Sequence, residues 1–279
     1  MEQREALIQS EMTFLEPWQS QNKVPVFRPY DPPGSAQGNI KLSPYAVKFH
    51  NARPDWTSFG LDTHGFMFIK DHVESELLEQ VRAGDMSVVE QEYFACVRDL
   101  VQRVTGAERV LCFSPSIRNS ATSKDILSRP GSIVHCDQSP DGVVRVIQAF
   151  CGDEADHLLQ GRYRSFSVWR PTVGPVADWP LAVADGKTID PAHLQEVKWI
   201  VDGCDESSPG PCQLSYSADQ RWYYLDGQCT DEVTIVKNYD SADVPVKQTA
   251  HGSFSKPSPS LIPRARESID VRCLVFGGM

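Results

Sequence analysis

The feature that most constrains the fold is a succession of short apolar runs that fills the second half of the chain. From residue 162 onward these runs are rich in Val, Ile, Tyr, Phe and Trp and are bounded by Gly, Pro, Asp and Ser, which is typical of β-strands between turns. They are SFSVWR (165–170), PLAVAD (180–185), CQLSYS (212–217), RWYYLD (221–226), EVTIVKNYD (232–240), VKQTAHGSF (246–254) and SIDVRCLVF (268–276). Many short strands with few helices between them predict a mainly β fold with flanking helices. A double-stranded β-helix (jelly roll, cupin-like), which pairs distant strands and encloses a pocket, is one such solution.

The other segments indicate how this β-domain is flanked. Residues 1–45 are rich in Pro and Gly and are interpreted as an extended N-terminal arm, which leaves 46–279 as a single jelly-roll domain. Apolar residues recur at three- and four-residue spacing over 71–106, so this stretch predicts helical support, broken near Gly84. The segment 190–211 interrupts the strands with a helical run and a Gly/Ser/Pro loop, and we expect it to form a lid.

The charge balance and the lack of long apolar runs exclude several classes of partner. The formal net charge is −10 and the pI is about 5.2, so the field of the protein repels a phosphate backbone and disfavours nucleic acid. The sequence contains no run of about 18 apolar residues, which is the length that would predict a membrane-spanning helix. The N-terminal stretch carries acids and no apolar signal core, so we expect a cytoplasmic protein. The eight cysteines are scattered without a C-x-x-C motif and are interpreted as mostly buried thiols.

The stretch SIVHCDQSPDG (132–142) contains the most informative polar pattern. Side chains two residues apart on a β-strand point to the same face, so His135 and Asp137 would project side by side while Cys136 points the other way. An imidazole and a carboxylate on one face supply two of the three ligands of a non-haem iron site. The alternative is a surface or turn pair in which Asp137 caps the following segment.

A third ligand would have to come from a distant histidine. His251 lies in VKQTAHGSF, a strand-like run late in the chain, where a jelly roll would bring it opposite the first pair; a core or surface histidine without a metal is the alternative. Fifteen residues later, Arg266 and Ser268 share a strand face. A planar guanidinium with a nearby hydroxyl can grip a carboxylate of a dicarboxylic cosubstrate. An arginine that pairs with a neighbouring acid at a strand end is the alternative for this position.

The order of these motifs, His-x-Asp, a distant His and then Arg-x-Ser, resembles the Fe(II)/2-oxoglutarate-dependent dioxygenases. The closer resemblance is to the fungal and bacterial group that contains gibberellin desaturase, the cephalosporin 7-methoxylation protein and fungal secondary-metabolite oxygenases. It covers roughly residues 105–279. The matching segments are VHCDQSPDG, SFSVWRPTVGPVADWPLAVAD, RWYYLDGQCTDEVTIVKNYDS, AHGSF and RESIDVRCLVF, of which the second and third are long and specific.

The resemblance implies an enzyme that uses Fe(II), 2-oxoglutarate and O2 to oxidise an unactivated C–H bond of a small secondary metabolite. His135, Asp137 and His251 would ligate the metal. The implied substrate is terpenoid-like, in particular a meroterpenoid, and hydroxylation, desaturation and endoperoxide formation all stay open. A homodimer is the oligomeric state that the family leads us to expect.

Several arginines compete for the cosubstrate. The resemblance implies that Arg266 binds the distal carboxylate of 2-oxoglutarate, helped by Ser268. Arg170, in VWRP, is a second candidate for charge near the cosubstrate, with a structural role as its alternative. Arg272 lies on the same predicted face and could serve instead of Arg266. The sequence RARES departs from the proline-rich lead-in of the relatives, which leaves Arg264 open as well.

Aromatic residues are the expected substrate contacts. Trp199 would cover the substrate from the lid, while Trp169 and Tyr224 would line the pocket from predicted strands; plain core packing is the alternative for each. Two other functions are open on these residues. One is a metal-free jelly-roll binding or partner subunit of a biosynthetic complex, and the other is a cupin-like zinc or manganese enzyme without 2-oxoglutarate.

Overall fold

Strands form most of the framework. The computed structural model describes residues 7–18, 24–28, 38–121, 128–200, 210–256 and 264–278. In chain order the strands are β1 (Ile8–Leu15), β2 (Val26–Phe27), β3 (Leu42–Asn51), β4 (Phe66–Lys70), β5 (Arg109–Asn119), β6 (His135–Cys136), β7 (Tyr163–Pro171), β8 (Leu181–Ala184), β9 (Leu194–Glu196), β10 (Lys198–Trp199), β11 (Cys212–Leu214), β12 (Trp222–Tyr224), β13 (Glu232–Asp240), β14 (His251–Ser253) and β15 (Glu267–Phe276). Two sheets contain thirteen of these described strands, and β2 pairs with β10 in a separate ribbon.

The larger sheet curls back on itself. Its strand order is β1-β3-β12-β8-β14-β6-β11-β9. The strand at one end, β1, returns to the segment before β6: the amide of Thr13 donates to the carbonyl of Ser132 (2.9 Å), and the amide of Val134 donates to the carbonyl of Thr13 (2.8 Å). The curl encloses an aromatic core in which Phe49 stacks on Phe254 with ring centroids 3.8 Å apart. The inner side chains of this sheet therefore pack against one another.

The smaller sheet is antiparallel throughout, in the order β4-β13-β7-β15-β5. Both of its faces are covered, so its central strands are buried along nearly their whole length. Alternate residues of β7 illustrate this: Phe166 and Val168 pack against helices, while Trp169 packs against Leu181 and Val183 of the larger sheet. The space between the two sheets is where a pocket can form.

Helices lie against both faces of the smaller sheet. They are α1 (Leu61–His64), α2 (Ser75–Ala83), α3 (Met86–Val88), α4 (Phe94–Thr105), α5 (Pro140–Cys151) and α6 (Ala155–Leu158), with a π-helical turn at Val89–Tyr93 and 3-10 turns at Arg53–Ser58, Gly152–Glu154, Gly186–Thr188 and Pro191–His193. The helices α2 to α4 pack on this sheet, and the predicted break occurs at Gly84, whose φ of 81° is the left-handed conformation of a helix C-cap. Asp85 then caps α3 by accepting hydrogen bonds from the amides of Ser87 and Val88.

The N-terminal residues differ from the predicted arm because β1 is an integral strand of the larger sheet. It pairs with β3 along its whole length, from Ile8 opposite Phe49 to Leu15 opposite Leu42. The alternation in IQSEMTFL turns Met12 and Phe14 into the aromatic core, where they are 1% and 0% exposed. Burial of these side chains outweighs the Pro/Gly-rich composition of the rest of the segment.

The architecture confirms the predicted fold class, a mainly β double-stranded β-helix with flanking helices. Across the residues that the structure describes, no helix combines the length and the hydrophobicity that a bilayer crossing requires.

Candidate metal and cosubstrate site

Three predicted ligands meet between the two sheets. His135 on β6 lies directly opposite His251 on β14, and Asp137 follows β6 by one residue. One potential ligand atom from each of the three residues lies within 4.8 Å of the others. Nε2 of His135 is 3.4 Å from Oδ1 of Asp137, and Nε2 of His251 is 3.6 Å from Oδ2. Two imidazoles and one carboxylate at this spacing can coordinate one divalent iron on a single face.

Core packing of its neighbours and a helix cap directly after it fix the backbone around His135. A strand of only two residues can therefore position a ligand. Val134 and Cys136 point into the aromatic core of the larger sheet, so His135 and Asp137 point the other way, as the two-residue spacing predicts. Directly after this stretch, Ser139 caps α5 by accepting a hydrogen bond from the amide of Gly142.

Both histidines present a nitrogen suited to a metal. Nδ1 of His135 lies 2.7 Å from the carbonyl of Ile133 and must donate to it, which leaves the Nε2 lone pair directed towards Asp137. Burial, only partly offset by Asp137, lowers the pKa of His251 to about 3. His251 is therefore neutral at pH 7, and the neutral imidazole is the form that binds a metal.

Hydrogen bonds hold the Asp137 carboxylate in place. Nη2 of Arg272 donates to Oδ1 at 3.0 Å, and the hydroxyl of Ser167 donates to Oδ2. Asn238 connects this arrangement, because its Nδ2 donates to Ser167 Oγ at 2.8 Å and its Oδ1 accepts from the amide of Asp137 at 3.2 Å. Burial disfavours the charged carboxylate, but the nearby charge of Arg272 favours it, and the pKa of Asp137 lies well below its ordinary value.

Sequence reasoning did not identify Ser167 and Asn238, and it gave Arg272 a different role. Ser167 lies in SFSVW and Asn238 in TIVKNYD, two strands on which nearly every residue is buried. The one available signal was a polar residue within an apolar strand, since such a residue needs a buried partner.

The cavity beside the three ligands contains a buried arginine. Arg266 is 3% exposed, and its Nη1 donates to the carbonyl of Trp179 (2.7 Å) and to Ser253 Oγ (2.8 Å). Its guanidinium lies over the ring of Trp169, 5.3 Å from the centroid. Within the described residues its Nε has no hydrogen-bond partner, and neither has the buried hydroxyl of Ser268. Burial lowers the pKa of Arg266 to about 9, which still leaves it charged at pH 7.

The other cavity residues are contributed by both sheets. The cavity is lined by Arg118, Gly131, His135, Asp137, Ser167, Trp169, Leu181, Val236, His251, Gly252, Ser253, Arg266 and Asp270. Asp270 was not predicted as a site residue; burial and the neighbouring Asp137 raise its pKa to about 7.

The competing arginines have different surroundings. Arg272 donates a hydrogen bond to Asp137. Arg264 is exposed. The prediction for Arg170 needs correction, because its side chain points to the helical side of β7. There it donates to the carboxylate of Asp71, to the carbonyl of Thr230 (2.8 Å) and to the hydroxyl of Tyr93 (3.2 Å). Arg170 thus ties the sheet to the helices instead of contributing charge to the cavity.

The aromatic predictions have mixed outcomes. Trp169 lines the cavity. Tyr224 does not: it is 2% exposed inside the curled sheet, where its ring meets Phe254 edge to face at 5.4 Å, so the prediction of a pocket-lining role is wrong. The backbone of Trp199 belongs to β10, but its side chain lies outside the described residues, as does 201–209 of the predicted lid.

Comparisons with known proteins place the chain in a family. A family model described as "Oxidoreductase/YMDC permease-like domain" matches residues 12–276. The Fe(II)/2-oxoglutarate-dependent dioxygenase nvfI of Aspergillus novofumigatus is 48% identical over 270 residues, which is 97% of each chain. The hydroxylase/desaturase CTB9 of Cercospora beticola is 29% identical and covers 85% of this chain and 78% of its own.

Solved structures agree with these relatives. A structure of the iron and alpha-ketoglutarate-dependent endoperoxidase NvfI superimposes with a TM-score of 0.92 at 48% identity and covers 98% of this chain and 99% of that one. A second structure of NvfI, in a different conformation, gives a TM-score of 0.94. The predicted cofactor set of Fe(II), 2-oxoglutarate and O2 is confirmed, and the metal-free alternative is excluded. The chain belongs to the Fe(II)/2-oxoglutarate-dependent dioxygenases.

Proposed function

We propose that this enzyme oxidises an unactivated C–H bond of a fungal secondary metabolite, with His135, Asp137 and His251 as the iron ligands and Arg266 as the anchor for the distal carboxylate of 2-oxoglutarate. The observation that carries the proposal is the convergence of the three ligands beside a buried guanidinium with an unsatisfied N–H group in the same cavity.

The surroundings of Arg266 support its role as the anchor. A desolvated guanidinium gains more from a carboxylate than from neutral acceptors, because charge-assisted hydrogen bonds are the stronger ones. Ser253 and the carbonyl of Trp179 fix one side of its planar group. Ser268, two residues later and within β15, has a buried hydroxyl that can add a hydrogen bond.

The chain's contribution to catalysis is to hold and orient. Bound iron supplies the activation of O2 that couples decarboxylation of 2-oxoglutarate to oxidation of the substrate. Asp137 stays ionised because the charge of Arg272 compensates for its burial, so its charge persists at the metal over the physiological pH range. The apolar side chains of Leu181 and Val236 on the cavity wall limit access of water.

The decisive test is anaerobic loading with iron(II) and 2-oxoglutarate, followed by the visible charge-transfer band of the chelate. We expect His135→Ala and Asp137→Ala each to abolish the band. Arg266→Ala should spare metal binding and weaken 2-oxoglutarate about 10- to 100-fold, the loss of one or two charge-assisted hydrogen bonds. Arg264→Ala is the matched control, since this arginine is exposed on the same lead-in. An unchanged affinity in Arg266→Ala would move the anchor to another residue.

For the reaction outcome, we propose endoperoxide formation on a meroterpenoid, with Trp169 and Trp199 against the substrate. The endoperoxidase NvfI, at 48% identity, supports this choice over the hydroxylase/desaturase relatives, which are more distant. Product analysis under 18O2 separates the three outcomes: an endoperoxide retains both atoms of one O2 molecule, an alcohol retains one and an alkene retains none. Product without paired label would contradict the proposal.

A cytoplasmic location, a homodimer, and a lid over 190–211 stay predictions. Cell fractionation tests the location, and light scattering of the purified chain tests the oligomeric state. Limited proteolysis with and without 2-oxoglutarate tests the lid, since a closing segment should become protected.

A further inference from the structure

Two cysteines lie side by side on neighbouring strands, away from the metal site. Cys112 on β5 is directly opposite Cys273 on β15, and their Sγ atoms are 3.7 Å apart. Cys273 is fully buried in the helix-side core, while Cys112 is partly exposed at the edge of that core. Nothing in the proposed chemistry uses either thiol.

The backbone geometry at this pair suits a disulfide. Residues directly opposite in an antiparallel ladder have Cα atoms about 4.5 or about 5.5 Å apart, depending on the type of pair. Both separations lie within the range of about 4.4–6.8 Å that disulfides span. The spacing of the two strands therefore permits the sulfurs to approach from 3.7 Å to the bonding distance of about 2.05 Å.

The two thiols differ in character, which gives each a role. The hydrogen bond with Cys273 lowers the pKa of Cys112; burial opposes this effect, and Arg98 adds to it. Burial instead raises the pKa of Cys273 well above its ordinary value. Burial also raises the pKa of Cys96 and of Cys151. Of these four, only the partly exposed Cys112 is shifted towards the thiolate, the form that attacks an oxidant.

We propose that Cys112 and Cys273 are a redox-active pair that a hydroperoxide converts into a reversible disulfide between β5 and β15. The Cys112 thiolate attacks the outer oxygen of ROOH, takes that oxygen and releases RO⁻, which leaves as ROH after protonation. The resulting sulfenic acid, Cys112–SOH, then reacts with the Cys273 thiol: the S–S bond forms and water leaves. Two thiols are oxidised, one hydroperoxide is reduced, and a dithiol reverses the reaction by exchange.

The disulfide would fix the strand that directly follows the proposed cosubstrate anchor. Arg266, Asp270 and Arg272 project from the cavity side of this segment, whereas Cys273 projects from the helix side. The cross-link therefore adds no group to the cavity and instead restrains the pairing of β15 with β5.

The test uses the full chain, first reduced and made metal-free with a chelator so that bound iron cannot react with the oxidant. After treatment with tert-butyl hydroperoxide, we expect the intact mass to fall by two hydrogen atoms. A non-reducing digest should join the peptides that contain Cys112 and Cys273, and dithiothreitol should restore the starting mass. The melting temperature should rise on oxidation, because a cross-link restricts the unfolded chain.

Single substitutions assign the roles. Cys273→Ser should accumulate a sulfenic acid at Cys112 that dimedone traps, whereas Cys112→Ser should leave Cys273 unreacted. Cys96→Ser is the matched control, since Cys96 packs against the same core and should leave the cross-link intact. Circular dichroism checks that each variant folds. Failure of the wild-type digest to show the Cys112–Cys273 link would overturn the proposal whatever the variants do, and dimedone labelling at Cys273 in preference to Cys112 would overturn the assigned roles.

Discussion

Replacement of Ser167 by alanine tests whether the residues behind Asp137 tune the metal site. The Ser167 hydroxyl donates to Oδ2 of Asp137 and accepts from Nδ2 of Asn238, and its residue is 2% exposed. The alanine variant leaves the carboxylate without one donor and leaves a buried amide N–H without its acceptor.

The expected magnitude follows from these two losses. A hydrogen bond to a charged group contributes about 1.5–3 kcal/mol, and an unsatisfied buried partner costs about 1–3 kcal/mol. Loss of a group that orients a metal ligand typically lowers metal affinity about 10- to 100-fold, or about 1.4–2.8 kcal/mol. Ser167→Ala should therefore reduce both the free energy of unfolding and the affinity for iron.

Ser165 provides the matched control. It lies two residues earlier on the same face of β7, is fully buried, and donates to Oε1 of Gln138 instead of a metal ligand. Ser165→Ala should lose similar stability but keep its iron affinity within about threefold of wild type. The assay is anaerobic iron(II) titration at saturating 2-oxoglutarate, paired with urea unfolding of the apo-proteins. Equal iron affinities for Ser167→Ala and Ser165→Ala would refute the reasoning.

Three further predictions concern the charged groups around the sheets. Lys237→Met should lower the free energy of unfolding by about 3 kcal/mol in urea titrations, because Lys237 is fully buried between Asp62 (2.6 Å) and Asp240 (2.8 Å) and its loss removes one of the two cations, with Arg162, that pair with the buried Asp240. Burial opposes the ionisation of Asp240, but its hydrogen bonds with Arg162 and Lys237 lower its pKa below the ordinary 3.8. Its contribution to stability is therefore present above about pH 4 and is lost as the pH falls through the lowered pKa. In Asp240→Asn the free energy of unfolding should accordingly depend less on pH in that range than it does in the wild type. Arg170→Met should cost about 3–5 kcal/mol of stability yet leave 2-oxoglutarate affinity unchanged, and a selective loss of that affinity would restore Arg170 as a cosubstrate residue.

The metal ligands could be predicted from sequence because two of them are close together in the chain and the third is one of only a few histidines. His135 and Asp137 are two residues apart on a strand, and alternation alone places them on one face. His251 belongs to a strand-like run in a chain with few histidines, and only the fold could show that it lies opposite His135. The helix break at Gly84 was equally visible, because glycine there adopts a positive φ.

The errors arose where a strand is buried on both faces. Trp169 and Arg170 are adjacent, so they must point to opposite sides of β7, but burial on both sides removes the polar–apolar alternation that would show which side is the cavity. The prediction for Tyr224 was wrong for a related reason. The curl of the larger sheet creates a separate core, which the pattern of apolar residues along the sequence does not reveal. Ser167 and Asn238 contact Asp137 across 30 and 101 residues of sequence, and such pairing is a property of the fold alone.

The return of β1 to the segment before β6 links the first described strand of the chain to the chemistry of the enzyme. The amide and carbonyl of Thr13 hold Ser132 and Val134, and this is the backbone that presents His135. An affinity tag fused close to Ile8, or a protease cut between β1 and β3, would thus act on the metal centre even though either change is remote from it in sequence.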